Sequence, residues 1–118
     1  MNPESRKRLR DAHGFCGELV TFLNNETRET FLTNRRLRYA VLMLLVHTGE
    51  ALSVLRREDA ATAGRVPDLH RFVALRNHLV HGYDAVNLEV VWRVATEESP
   101  ALALALAPML VDDLGHSA

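Results

Sequence analysis

Apolar residues recur along most of this chain at steps of three and four residues, the spacing that places them on one face of a helix. The first such stretch lies between a polar opening, Met1–Arg8, which we expect to be frayed, and a predicted turn at Asn24–Thr27. Its apolar positions are Leu9, Ala12, Cys16, Leu19, Val20 and Leu23.

A longer helix is predicted from about Glu29 to Glu58. It opens with arginines and is then apolar on every side over Tyr39–Val46. A helix that is apolar all round must be covered on all sides. A small bundle covers about half of such a helix, so we expect the other half to form a dimer interface.

The second half of the chain continues the helical pattern in shorter segments. Ala60–Val66 predicts a loop, and Pro67-Asp68 predicts the start of a helix whose apolar residues include Leu69, Phe72, Val73 and Leu79. Asn87 is a candidate N-cap for the next helix, which carries the stripe Leu88, Val91, Trp92 and Ala95.

Ser99-Pro100 has the residues preferred at the N-cap and first position of a last helix. We expect Pro108 to kink or interrupt that helix. Together the segments predict a single all-α domain over residues 1–118, an up-and-down bundle of four to five helices.

The composition of the chain indicates a cellular compartment and argues against some classes of partner. The 118 residues carry a formal net charge of −1, which argues against a strongly basic nucleic-acid binder but leaves a local site open. The single cysteine, Cys16, excludes an internal disulfide and suits a reducing cytoplasm. The opening is charged and the run Tyr39–Val46 is far shorter than the ~20 residues of a membrane span, so we expect a cytoplasmic protein without a membrane partner.

The chemistry is concentrated in the stretch from Arg76 to Tyr83, which reads RNHLVHGY. Arg76 offers a permanent charge and forked donors that suit a phosphate. An imidazole such as that of His81 titrates near neutrality and can take or give a proton. An anchored arginine that neutralises charge on phosphorus, with a histidine that serves the 2′-hydroxyl or the leaving group, is enough for phosphodiester cleavage without a metal.

The spacing within the motif matters for how these groups meet. Five residues separate Arg76 from His81, roughly 140° around a helix, whereas Asn77 and His81 are one turn apart and share a face. Gly82 is expected to end the helix and leave His81 in its last turn, where the helix dipole favours the imidazolium. Two copies facing each other across a symmetric dimer would make a dense site.

The pattern Arg76-x-x-x-x-His81-x-Tyr83 resembles the RxxxxHxY motif of HEPN-superfamily ribonucleases, and more narrowly the chain resembles the HepT toxins. The runs Leu75–Tyr83 and Val86–Trp92 are close to that family's pattern, and Gly49-Glu50-Ala51 matches it in the second long helix. The resemblance covers roughly residues 37–112 and is weaker over the first 36.

This resemblance implies an all-α homodimer with a metal-independent endoribonuclease site at its interface, built on Arg76 and His81, with RNA as substrate and no cofactor. It also implies a toxin–antitoxin system. The antitoxin is a minimal nucleotidyltransferase that silences the toxin by adding AMP to the motif tyrosine, here Tyr83. AMP at that phenol would place a bulky anion beside the arginine and histidine of the motif.

Several roles stay open from the residues alone. Arg76 could instead pair with Asp84 or Glu89 at the surface, and Asn77 could hold His81 or contact phosphate. Glu50 could approach the motif to orient it, or be solvated. The pair of His78 and His81 lacks further ligands at suitable spacing, so we predict no metal site. An alternative function is a non-catalytic helical module that binds a nucleotidyltransferase.

Overall fold

In the computed structural model, the backbone is described for residues 1–117 and the side chains for all of these except Tyr83 and residues 112–117. The described residues form helices and no strand, which confirms the all-α prediction. The α-helices are α1 (Pro3–Leu23), α2 (Arg28–Thr33), α3 (Arg35–Glu58), α4 (Ala60–Ala63), α5 (Leu69–His81), α6 (Leu88–Arg93) and α7 (Ser99–Ser117).

Helix α3 is the centre of the bundle and packs between α1 and α5. It runs antiparallel to α1, since Ser5 near the start of α1 bonds Asp59 just after α3, while Phe15 further along stacks on His47. Helix α7 packs on α1. With α6 and α7 continuous, four long segments form the bundle, within the four to five helices expected.

The core lies along the facing sides of these helices. Its fully buried side chains include Leu9, Leu19, Phe31, Val41, Leu45, Leu52, Val91 and Leu106. Cys16 belongs to the same core, and burial raises the pKa of its thiol to about 12. At that pKa the thiol is uncharged near neutral pH, so Cys16 acts as a packing residue.

Two predicted boundaries in the first half are wrong. The expected frayed opening is already helical from Pro3, because the side chain of Asn2 accepts a hydrogen bond from the Ser5 amide and caps α1. The long helix predicted from Glu29 is broken at Asn34, whose side chain caps α3 at the Leu37 amide. The loop expected over Ala60–Val66 contains the short helix α4.

The last helix, α7, begins at Ser99 as predicted, but Ser99 is not its N-cap, because its backbone is already helical with φ −66° and ψ −43°. Val94–Glu98 forms a π-helical turn that joins α6 directly to α7, with the Ser99 amide bonded to the Val94 carbonyl. Pro100 has no amide hydrogen and its ring crowds the preceding turn, and the wider π turn accommodates it within a continuous rod. The helix also continues past Pro108 to Ser117, so that proline does not interrupt it.

By length and composition alone, Arg35–Glu58 and Leu88–Val111 are apolar enough to cross a membrane. The core helix of a bundle meets the same criterion, and α3 buries Val41, Leu45 and Leu52 among the other helices. We therefore read both segments as bundle helices.

Candidate functional site

Helix α5 carries the motif and ends where the sequence predicts. His81 is its last residue, and the Gly82 amide donates to the His78 carbonyl at 2.7 Å. Gly82 has a φ of −146°, so the helix ends without a left-handed residue. The exposed imidazole of His81 therefore lies at the carboxyl end of the helix.

Arg76 is held by two neighbours at once. Its Nη2 lies 2.9 Å from Oε2 of Glu50 on α3, and its Nη1 donates to Oδ1 of Asn77 at 2.8 Å. The Arg76 side chain is 26% exposed, so it is partly open to solvent. Each Nη group carries two hydrogens, so donors remain for a phosphate while both contacts persist.

Gly49 explains how Glu50 reaches Arg76. A Cβ at position 49 would lie 2.3 Å from the Cβ of Arg76 and 2.7 Å from the carbonyl oxygen of Phe72, both far too close. The missing side chain lets α3 and α5 touch at this crossing. Because Glu50 follows directly, its carboxylate leaves α3 beside the guanidinium.

The structure resolves several alternatives for the predicted site residues. Arg76 pairs with Glu50 rather than Asp84 or Glu89, and Glu89 instead accepts from Arg28 at 2.7 Å. Asn77 bonds Arg76, not His81. Among the described side chains His81 has no hydrogen bond or ion pair, so Arg76 and His81 share a helix without a direct bond between them. The side chain of Tyr83 lies outside the described residues.

His78 lines a pocket that is not lined by Arg76 or His81. This pocket is an apolar cavity of about 330 Å³ between α5 and the α6–α7 rod, and it is also lined by Arg71 and Glu98, which form an ion pair of 2.8 Å. Within the described part of the chain, no three His, Cys, Asp or Glu side chains gather as metal ligands would.

An apolar stripe on α3 leads directly to Glu50. Tyr39, Leu42, Met43 and Val46, which we call the apolar face, line a hollow of about 610 Å³ that is completed by the segment after the motif, including Asp84, Val86 and Leu88. Tyr39 is 55% exposed and Met43 is 53% exposed. Tyr39, Met43, Val46 and Glu50 are spaced by four, three and four residues, so the site and the apolar face share one side of α3.

Comparison with known proteins agrees with this arrangement of motif and fold. The family model "Ribonuclease HepT-like" matches residues 13–109, most of the chain. The chain belongs to this family. It is thus a ribonuclease of the HEPN type, as the resemblance of its motif implied.

Curated relatives support the same family. A Methanocaldococcus jannaschii protein provisionally named as an RNase is 27% identical over 94 residues, covering 80% of this chain and 77% of the relative. Another from that organism, similarly named, is 26% identical over 94 residues and 80% of each chain. A Thermococcus cleftensis protein named as a probable HepT ribonuclease is 26% identical over 89 residues, 72% of this chain and 80% of the relative. No solved structure matches at a significant level.

Sequence reasoning found Gly49 as part of a family pattern but missed its steric role. The signal was present, since a glycine inside a long apolar helix usually marks a close approach of another backbone. The residue that lies against Gly49 could not be predicted from the sequence, because Gly49 and Arg76 are distant in sequence and meet only once α3 and α5 pack.

Proposed function

We propose that this chain is the toxin of a toxin–antitoxin system, a metal-independent endoribonuclease that acts as a homodimer. The observation that carries the proposal is the Glu50–Arg76–Asn77 set, held on a solvent-facing side of the bundle beside the apolar face. Its guanidinium is fixed but still open, as a phosphate-binding group must be.

In the proposed reaction a base removes the proton of an RNA 2′-hydroxyl, and the freed oxygen attacks the adjacent phosphorus. The bond from phosphorus to the 5′-oxygen then breaks, an acid protonates that oxygen, and a 2′,3′-cyclic phosphate remains. Arg76 stabilises the negative charge that builds on the phosphoryl oxygens. His81 acts as base or acid, and a second copy of His81 in a dimer would fill the other role.

The apolar face is the surface that we assign to the homodimer. It is apolar, partly exposed and on the same side of α3 as Glu50, so pairing there would bring two copies of the motif together. The two guanidinium groups would then serve one RNA strand, which offsets the low overall charge of the chain.

Regulation by a nucleotidyltransferase antitoxin is the second part of the proposal. The phenol oxygen of Tyr83 attacks the α-phosphorus of ATP, pyrophosphate leaves, and the phenol proton passes to a base of the antitoxin. Tyr83 opens the short 3₁₀ turn Tyr83–Ala85, two residues after His81 in the chain. The added AMP brings a phosphate close to the motif cations and competes with RNA for them.

The nuclease reaction is tested with the purified protein, a single-stranded RNA and the matching all-deoxy strand. We expect RNA cleavage that persists in EDTA, cyclic phosphate ends, and intact DNA. Arg76→Ala and His81→Ala should each lower the rate by at least about a hundredfold with unchanged helical circular dichroism. Cleavage of the deoxy strand, or loss of activity in EDTA, would overturn this mechanism.

The same variants separate the nuclease from a pure binding module. If both variants still inhibit growth while changes across Tyr39–Val46 abolish inhibition, the chain acts through binding alone. Regulation is tested by intact mass after co-expression with the nucleotidyltransferase. A gain of one or more AMP groups that disappears in Tyr83→Phe supports it, and no gain with an active transferase contradicts it.

A further inference from the structure

A further pocket lies where α3, α4 and α5 meet, and the proposed chemistry does not use it. Its volume is about 320 Å³, and its rim carries Arg56 from the end of α3 and His70 from the first turn of α5. Both side chains are exposed. Small and apolar residues form its floor: Ala60, Ala63, Gly64, Val66 and Leu69.

The helix register places this pocket in line with the candidate site. Arg56 follows Gly49 by seven residues on α3, and Leu69 precedes Arg76 by seven on α5. Seven residues are close to two full turns, so both pairs lie on the sides of the helices that face each other. The pocket is therefore roughly 10 Å along the helices from the Arg76 contact, at about 1.5 Å per residue.

Two further cations are adjacent in sequence to residues that line the pocket. Arg57 is exposed and lies two turns after Glu50, so it continues the side of α3 that carries the site. Arg65 is exposed in the connection between α4 and α5. Within the described part of the chain, Arg56, Arg57 and Arg65 form no ion pair with a carboxylate.

Among the described residues, the nearby carboxylates form no ion pair with Arg56, Arg57 or Arg65 and have other surroundings. Asp59 is engaged, since it accepts hydrogen bonds of 2.6 Å from Ser5 and from Thr62. Asp68 lines a separate pocket toward Glu97 and Glu98. Glu58 is two residues after Arg56 on α3, which places it about 200° away around the helix.

We propose that this pocket is a subsite for the RNA strand, in which Arg56 binds a backbone phosphate away from the scissile one. The inference rests on the proposed nuclease function and deepens it. At the rise of about 3.4 Å per nucleotide of a stacked strand, roughly 10 Å corresponds to about three nucleotides. His70 contacts the same nucleotide, and the apolar floor accepts its sugar or base. A chain of low net charge can then bind RNA, because its cations lie along the path of the strand.

The test measures RNA binding by the full chain in a His81→Ala background, which leaves the RNA uncut. The probe is a fluorescent single-stranded RNA of about ten nucleotides. We expect Arg56→Gln to reduce the slope of log affinity against log salt by about 0.7, the value for one lost phosphate contact on a single strand. At about 0.15 M salt this slope corresponds to roughly fourfold weaker binding.

The control is Arg93→Gln, which removes the same charge from an exposed position on α6, away from the pocket. It should leave the slope unchanged, and Arg56→Lys should restore it because the charge is kept. Equal slopes for Arg56→Gln and Arg93→Gln would overturn the subsite.

Cleavage by the unmodified chain distinguishes failure of the subsite from failure of the function. If that chain does not cut RNA, the proposed function fails. If it cuts RNA but Arg56→Gln has the same KM and salt slope as Arg93→Gln, the subsite alone fails. A further expectation is that shortening the RNA weakens binding to the unmodified chain and reduces the difference that Arg56→Gln makes.

Discussion

Gly49 sets the distance between α3 and α5 at the point where Arg76 leaves its helix. The position tolerates no side chain, because the groups that a Cβ would meet include the backbone oxygen of Phe72 as well as the Arg76 Cβ. A backbone atom cannot turn aside as the end of a side chain can. The absence of a side chain at Gly49 therefore allows α3 and α5 to approach each other at the site.

Gly49→Ala should force the two helices apart. We expect a loss of about 1–3 kcal/mol in the free energy of unfolding, the usual cost of overpacking. Cleavage should fall as well, since Arg76 is displaced. The matched control is Gly17→Ala on α1, where a Cβ meets nothing within 4 Å. That change should raise stability by about 0.5–1 kcal/mol. Urea unfolding measures the free energy of unfolding of both variants. Equal changes in the two would contradict the steric role of Gly49.

We propose that Glu50 positions Arg76 and does not itself touch RNA. The ion pair is partly exposed, with side-chain exposures of 26% for Arg76 and 48% for Glu50, so it contributes little to stability. Its value lies in fixing the guanidinium, because misplacing a charged group by about 1 Å can cost two orders of magnitude in rate.

Glu50→Gln should therefore lower kcat by about 10- to 100-fold while changing stability by less than about 1 kcal/mol. KM should stay level or fall, since a negative charge is removed beside the phosphate. Glu89→Gln is the control, because it breaks a similarly exposed ion pair with Arg28 far along the chain. Steady-state kinetics of the two variants test this role. An unchanged kcat for Glu50→Gln would mean that the ion pair between Glu50 and Arg76 does not contribute to catalysis.

At the scale of the elements, Asp59 joins three helices at one end of the bundle. It caps α4 through the Thr62 amide, and its other oxygen accepts from the hydroxyls of Ser5 on α1 and of Thr62. These hydrogen bonds, led by that from Ser5, hold the pKa of the Asp59 carboxyl at about 2, below its ordinary value of 3.8.

A carboxyl whose pKa is lowered by folding stabilises the fold above its unfolded pKa, and this contribution is lost as the pH falls through the folded value. The stability difference between the unmodified chain and Asp59→Ala should therefore be constant above about pH 5 and shrink between about pH 4 and pH 2. Ser5→Ala removes the strongest donor and should weaken this pH dependence. Urea midpoints across the range test it, and a difference that does not change with pH would contradict the assignment.

Most of the helices could be predicted from the sequence, and the wrongly predicted boundaries have physical causes. Helical spacing gave the main helices and the end of α5 at His81, since both depend on local residues. Ser99 begins α7 as predicted, but it is not an N-cap, because a π turn joins α6 to α7 while Leu102, Leu106 and Met109 pack on the bundle. Asn34 is of a residue type preferred at an N-cap. The arginines that follow it are also compatible with a continuous helix, so the break at Asn34 was not predicted.

The candidate site could be proposed from the sequence as a set of residues, but its contacts could not be predicted. Arg76, Asn77 and His81 follow from a local motif. The partner of Arg76 depends on the packing of α3 against α5, and from sequence Asp84, Glu89 and Glu50 were all open. The structure decides for Glu50 because Gly49, next to it, allows the closest approach of the two helices.

At the scale of the whole molecule, the described fold leaves the apolar face uncovered. The residues of α3 that point into the bundle, such as Val41 and Leu45, are fully buried, whereas Tyr39 and Met43 are more than half exposed. An exposed apolar stripe beside a charged site is typical of a surface that another protein covers. We propose a second copy of the chain as that partner, because a two-fold pairing would also bring two motifs together.

Met43→Glu places a charge in the centre of the apolar face and should convert the proposed homodimer to a monomer. Burying two unpaired carboxylates in one interface costs more than a small apolar contact returns. Helical circular dichroism should be retained, since Met43 is exposed in the single chain. Ribonuclease activity should fall with dimer content if both copies of the motif serve one strand. Light scattering and cleavage assays on the same samples measure the two effects.

Leu104→Glu is the matched control for that experiment. Leu104 is 77% exposed on α7, so the same charge is added to an apolar position on another helix. This variant should remain a dimer and cleave RNA normally. If Leu104→Glu breaks the dimer and Met43→Glu does not, the interface lies on α7, and the motif cannot depend on pairing through the apolar face. If Met43→Glu is monomeric yet fully active, each chain carries a complete site, and a single His81 must then serve the attacking and leaving oxygens in turn.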